Sequence, residues 1–287
     1  MSQLTITPAR RVAARSPIPF HAFVVLAKAG FRRYSTYRQA TLAGIFTNSV
    51  FGFLRCFVIL ATAAGAAETG HSAGGYRTSQ LVAFVWIGQG MIATVNLAAD
   101  SVLSTRIRTG EVVSDLLRPV HPVTAYFAAD LGRAGYALLT RFVVPVVIGL
   151  VAFDFYIPQR AVTYPLFAVS VVAAVSLCFA CKYVVNAWSY WLLDGRGPQL
   201  AWTLCVAVLG GLYFPLRFLP SPVLDVLWLA TPFPSVLQAP LDIAVERTSS
   251  AVAIGYIGIQ LVWVGLAFWA AVTLQRRGER RLVVNGG

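Results

Sequence analysis

The sequence predicts an all-α membrane protein with six spanning helices. Three observations carry that prediction. Of 287 residues, 57% are hydrophobic and only 12% charged, about half the charge of an ordinary soluble domain, and the mean hydropathy is +0.70. Six apolar stretches, 40–64, 80–104, 124–152, 162–188, 199–214 and 250–274, fall near the roughly 20 residues a helix needs to cross a bilayer. The basic residues are also shared unevenly among the connecting segments. Fifteen of the 23 Lys and Arg fall on one side, and four (Arg77, Arg160, Arg217 and Arg247) on the other. With the richer side inside, six spans leave both termini in the cytoplasm and the chain in the inner (plasma) membrane. A seventh span would carry "QRRGERR" outside and break the bias. A net charge of +12 on a soluble chain would suggest nucleic acid; here the charge is topological and no nucleic acid is implied.

Along the chain, 1–19 is a polar, basic, proline-containing tail of the kind that stays disordered. Over 20–38, Phe23, Leu26, Ala27, Phe31 and Tyr34 recur at helical spacing, with Lys28, Arg32 and Ser35 on another face. That pattern predicts a basic amphipathic helix lying in the interface plane of the lipid bilayer. The six-span domain follows over 39–287. The fifth apolar stretch is short and ends in "GGLYFP". The next segment, 215–249, holds six prolines, which interrupt the helical ladder and predict a broken, re-entrant helical hairpin on the outer side before the last span.

Between the second and third spans lies "TRIRTGEVVSDLLRPVHP", Thr105–Pro122, on the cytoplasmic side. Val112, Val113, Leu116, Leu117 and Val120 form an apolar stripe at helical spacing. Arg108, Glu111, Asp115 and Arg118 point elsewhere, and Gly110 and Pro119 bracket a short helix. A merely solvated loop has no use for that stripe, so the segment reads as a docking surface for a cytoplasmic partner.

Several chemistries are excluded. The lysines, Lys28 and Lys182, do not follow glycine, so the chain lacks the Gly-Lys-Ser/Thr of a phosphate-binding loop, and ATP-driven work needs another polypeptide. Cys56, Cys178, Cys181 and Cys205 all sit in apolar runs and read as small fillers. His21, His71 and His121 are scattered and assemble neither a metal site nor a catalytic set. Within the spans, Arg55 and Arg141 are the deepest charges. Each reads either as lining of a polar translocation path, with Asn48 and Asn96, or as an internal tie between helices. Asp130 and Arg133, three apart, are spaced to pair on one helix face.

The loop "IRTGEVVSDLLRPVHPV" resembles that of ABC-2-type transporter permeases, in the subgroup with a separate ATPase and a G-E-x-x-x-x-L-L-R-P loop. Gly110, Glu111, Leu116, Leu117, Arg118 and Pro119 match it residue by residue. "GLYFPLRFLP", "TPFPSVLQAPLDI" and the closing "RRGERRLVVNGG" resemble further segments of that subgroup, with Asn285 where the family more often has glutamine. The resemblance implies a dimer of six-span permeases, identical or paralogous, above two ABC ATPase subunits that hold ATP and Mg²⁺; this chain needs no cofactor and is not itself an enzyme. It makes 20–38 an elbow helix and about 106–119 the coupling helix. Leu116 and Leu117 are its apolar knobs, Glu111 and Arg118 its register-fixing contacts, Pro119 its stiff exit, and Arg108 and Asp115 further contacts. Efflux of an amphipathic drug, peptide, lipid or glycolipid is the implied activity. A secondary transporter, or a regulatory membrane subunit that does not itself translocate, is the alternative.

Overall fold

The computed structural model describes residues 19–68, 74–99, 101–192 and 194–281. The predicted tail up to Ile18, Asp100, and the closing Asn285-Gly286-Gly287 lie outside them. Helices and turns make up the described residues, and no strand occurs among them.

The amphipathic pattern forms α1, Phe20–Ser35. Its small residues let it approach the start of the third span backbone to backbone. A Cβ at Gly30 would collide with the Ala129 carbonyl, and one at Gly132 with the Ala27 carbonyl. Phe31 and Tyr136 meet edge to face at 5.5 Å above this contact. One side of α1 therefore rests on protein, and Phe20, Val25 and Tyr34 remain exposed.

Five helices are long and apolar enough to cross a membrane. The first is α2, Arg38–Glu68. The second, Thr78–Asn96, comprises α3, Thr78–Met91, and a π-helical turn, Ile92–Asn96. It is the central column: Trp86 is fully buried, pressed between Gly52 of α2 and Gly149 of the third span, with Phe53 edge-on at 5.0 Å. The third, Pro122–Ala152, comprises α6 (Pro122–Ala137), a second π-helical turn (Leu138–Phe142) and α7 (Val143–Ala152). The two π turns face each other, with Gly90 against the Phe142 backbone. The fourth holds α8, Thr163–Ala187, and the last is α13, Ser250–Glu279. Buried Gln260 of α13 donates to the Ser235 carbonyl at 2.8 Å and accepts from Ser170 of α8 at 2.8 Å, polar bonds of the kind that hold helices together in lipid.

Two expectations are corrected, and a third is met only in part. The predicted span 80–104 stops at Asn96, whose φ of +59° is a left-handed conformation that asparagine tolerates better than most residues; Val102–Arg108 is a separate helix, α4. The docking segment is thus not one helix. It is the end of α4, a turn at Gly110 with φ +78°, and α5, Val112–Leu116. The fifth predicted span is α9, Arg196–Leu209, of only 14 residues. That is about 21 Å, short of a hydrocarbon core of about 30 Å.

The proline-rich segment forms α10 (Ser221–Ala230), α11 (Phe233–Val236) and α12 (Gln238–Ala244). Pro222 and Pro234 stand in first turns, where no intrahelical N–H is lost. Every residue of α12 is buried. The bundle therefore has an α5 end, holding α4 and α5, and an opposite α12 end. Between them α2 and α13 turn large apolar side chains outward, Phe46, Phe57, Val262 and Trp269 among them, as a lipid-facing surface does.

Candidate functional site

The α4–α5 loop is held by one staple. Arg106 of α4 reaches across the Gly110 turn to Asp115 of α5, with Nε on Oδ2 at 2.8 Å and Nη2 on Oδ1 at 3.1 Å. The same guanidinium donates to Ser114 Oγ at 2.9 Å and lies 3.6 Å from Glu111. The Tyr126 hydroxyl donates to Asp115 Oδ2 at 2.9 Å, tying the loop to the third span. A bidentate arginine–carboxylate pair fixes orientation as well as distance. Partial burial opposes the charge on Arg106, but Tyr126, Asp115 and Glu111 outweigh it and hold the guanidinium above its ordinary pKa.

Beneath the staple, Leu103, Ile107 and Val112 pack into a core with Val123, Phe179 and Tyr183. Ser104 Oγ meets Ser189 Oγ at 2.7 Å, fastening α4 to the end of α8. The loop is thus fixed at both ends to the bundle.

The predicted site residues divide accordingly. Asp115 does not point away from the apolar stripe: it is 7% exposed and turned inward. Val112 is buried and Leu116 half-buried, whereas Leu117 stands out at 82% exposed. Arg108, Gly110, Glu111, Arg118 and Pro119 are exposed around it. The stripe is split because α5 is a single turn and a half; its inward face goes to the bundle and its final residue goes to solvent. Arg106 and Tyr126, which do the holding, are not among the residues that the sequence singles out. A nine-residue separation across a glycine turn matches no helical spacing.

The intramembrane polar residues are not brought together as one cluster. Asn48 donates to the Gln89 carbonyl at 2.7 Å, joining the first two spans. Asn96 ends the second span, and its carbonyl accepts from Cys178 at 3.6 Å. Arg141 lies in the second π turn, its guanidinium over Gly44 of α2. Asp130 and Arg133 pair as their spacing predicts, at 2.6 Å, and Arg133 also donates to the Ala93 and Thr94 carbonyls at 2.8 and 3.0 Å. Arg55 differs from these. One N–H donates to the Leu212 carbonyl after α9; Nε and Nη1 are buried with no hydrogen-bond partner among the described residues.

At the α12 end, polar groups close on one another. Asp242, with no exposed surface, accepts from Tyr76 and from Gln238 at 2.9 Å, and lies 3.7 Å from Arg217. Glu246 accepts from Thr163 at 2.6 Å, Tyr156 at 2.7 Å and the Arg160 N–H at 2.8 Å. Its burial favours the neutral acid, but these bonds prevail and draw its pKa down to about 2.

Apolar helices in a bundle closed by buried polar bonds at one end, with a rigid, outward-facing loop at the other, define a multi-pass membrane protein with one presented surface. Residues 50–286 match the family model described as ABC-2 family transporter protein. The match runs from within α2 through the loop to the C-terminus, and the chain belongs to that family of membrane transport subunits. A comparison with curated proteins found no match.

Proposed function

We infer that the chain is the permease subunit of an ATP-driven exporter, in which α4 and α5 form the cytoplasmic coupling element and grip a separate ABC ATPase. The reading supplies a second permease, identical or paralogous, and ATP and Mg²⁺ in the ATPase pair. It counts α9 with the turn after it as a sixth crossing, with both termini cytoplasmic and α10–α12 outside. In this reading α1 is the elbow helix.

One observation carries it: the Arg106–Asp115–Tyr126 staple makes the loop a rigid extension of the second and third spans while leaving Leu117 almost fully exposed. On this reading Leu117, apolar and exposed on a loop fixed at both ends, is the side chain that enters the ATPase groove. Glu111 and Arg118 flank it and set register. A push on the loop is then delivered to both spans together. The unpaired N–H groups of Arg55 favour an amphipathic substrate with an anionic group, since a buried charge kept in a membrane is retained for use.

The test is purification of the tagged chain from its native membrane, identification of any ABC ATPase held with it, and ATP turnover by the complex. Leu117→Asp puts a charge into the groove and leaves the staple intact; loss of the ATPase and of transport-coupled turnover is expected. An L117D complex that retained both would overturn the reading.

A further inference from the structure

A second basic feature lies beside the loop rather than on its outward face. α1, α4, α5, α6 and α8 enclose a cavity of about 290 Å³, at the small end of the ligand-pocket range. Five cations line it (Arg33, Arg106, Arg118, Arg133 and Lys182) against two carboxylates, Asp115 and Asp130. Two of the cations are already matched, Arg133 by Asp130 and Arg106 by Asp115. Arg118 approaches Asp115 only to 3.9 Å, at an oxygen that Arg106 already holds.

Lys182 stands apart. It is 5% exposed, and the hydrogen bond that ties it to a neighbour among the described residues is made by its backbone carbonyl, which accepts from Asn186 at 2.9 Å. Five cations against two carboxylates leave the lining with an excess of positive charge, since Arg133 and Arg106 take up Asp130 and Asp115. Among the described residues the cavity therefore presents positive charge that its own carboxylates do not balance. Lys182 precedes the end of α8 at Ala187 by five residues, a depth of about 7 Å along the axis, which is headgroup level when α8 spans. The remaining wall is apolar, with Leu26, Leu103 and Phe179. A half-basic, half-apolar hollow at that depth fits an anionic amphiphile, and basic pockets between spanning helices are suited to acidic headgroups.

We propose that this cavity binds the phosphate headgroup of an anionic phospholipid from the leaflet at the α5 end. Lys182 and Arg118 meet the phosphate, and Leu26 and Phe179 meet the glycerol and first acyl carbons. Because Arg118 belongs to the loop and Lys182 to α8, the bound lipid bridges the two.

The intact chain in neutral detergent is titrated with dioleoylphosphatidylglycerol, dioleoylphosphatidylcholine or sodium phosphate, and bound species are counted by native mass spectrometry. Phosphatidylglycerol is retained and phosphatidylcholine is not. Lys182→Met weakens phosphatidylglycerol binding roughly tenfold, the scale of one charge-assisted hydrogen bond. Arg196→Gln, at an exposed arginine outside the cavity, leaves it unchanged, and so does Leu117→Asp, which separates this site from the ATPase grip. Equal retention of both lipids, or unaltered binding by K182M, overturns the site. Displacement of the lipid by millimolar sodium phosphate overturns the lipid as its occupant in favour of a soluble anion. Should K182M not fold, the double variant R33Q/R118Q decides the question on the same criteria.

Discussion

The two ends of the bundle use similar polar residues to opposite purposes. At the α12 end, Asp242, Gln238 and Tyr76 bond to one another, and Glu246 to Thr163, Tyr156 and the Arg160 N–H, inside the protein, and these bonds join stretches of chain distant in sequence. At the α5 end, Asp115 satisfies a near neighbour in sequence, and the staple frees the residues beyond it to face outward. The first network closes a surface and the second presents one. The difference teaches that burial separates a structural carboxylate from a recognition element more reliably than residue type does.

That contrast can be broken in graded steps. Asp242→Ala leaves Tyr76 and Gln238 without their shared acceptor and Arg217 without its counter-charge. We expect the largest loss of stability, about 3–5 kcal/mol as for removal of one partner of a buried ion pair, read as a fall in the thermal midpoint in detergent. Asp115→Ala removes a bidentate pair on a partly exposed partner, for a smaller loss of about 1.5–3 kcal/mol. Its signature is local: hydrogen exchange rises over 102–120 while the α12 end keeps its protection. If exchange rose equally at both ends, the two networks would not be independent.

Acid sharpens the comparison further. Glu246 is drawn from 4.5 to about 2 on folding, so its contribution is fully present above about pH 4.5 and is lost as pH falls toward 2. Between those values the 153–163 and 245–250 loops loosen in the wild type. Glu246→Gln lacks that dependence, which proteolysis at graded pH would detect. The smallest effect on stability belongs to Leu117→Asp, within about 0.5 kcal/mol of wild type as for other exposed sites, even though on the proposed coupling role it costs the most in ATPase binding. A midpoint shift as large as that of Asp115→Ala would mean that Leu117 is packed rather than presented.

Much of this was legible beforehand. Five of the apolar stretches become helices of spanning length, the 20–38 pattern becomes α1, and the three-residue spacing of Asp130 and Arg133 becomes an ion pair. Each rests on a local period, which a sequence displays directly. The failures share a cause as well. The end of the second span at Asn96 depends on backbone conformation, not on hydropathy, which continues through Leu97–Ala99. Asp115 looked outward because polar residues on a short helix are assigned to solvent; its inward turn depends on Arg106 and Tyr126, which only folding brings near. The Arg55–Leu212 contact joins residues 157 apart in the chain, and no periodicity reports on that.

The facing π turns at Ile92–Asn96 and Leu138–Phe142 have a mechanical consequence. Each inserts slack into the hydrogen-bond ladder of its span, and the two lie side by side, with Arg133 bridging to carbonyls of the first. Two adjoining rods weakened at one level bend there as a single joint. On the proposed coupling role, this level is where the spans carrying α4 and α5 would flex, so that a force applied at the loop would tilt their near halves and leave the α12 cap seated.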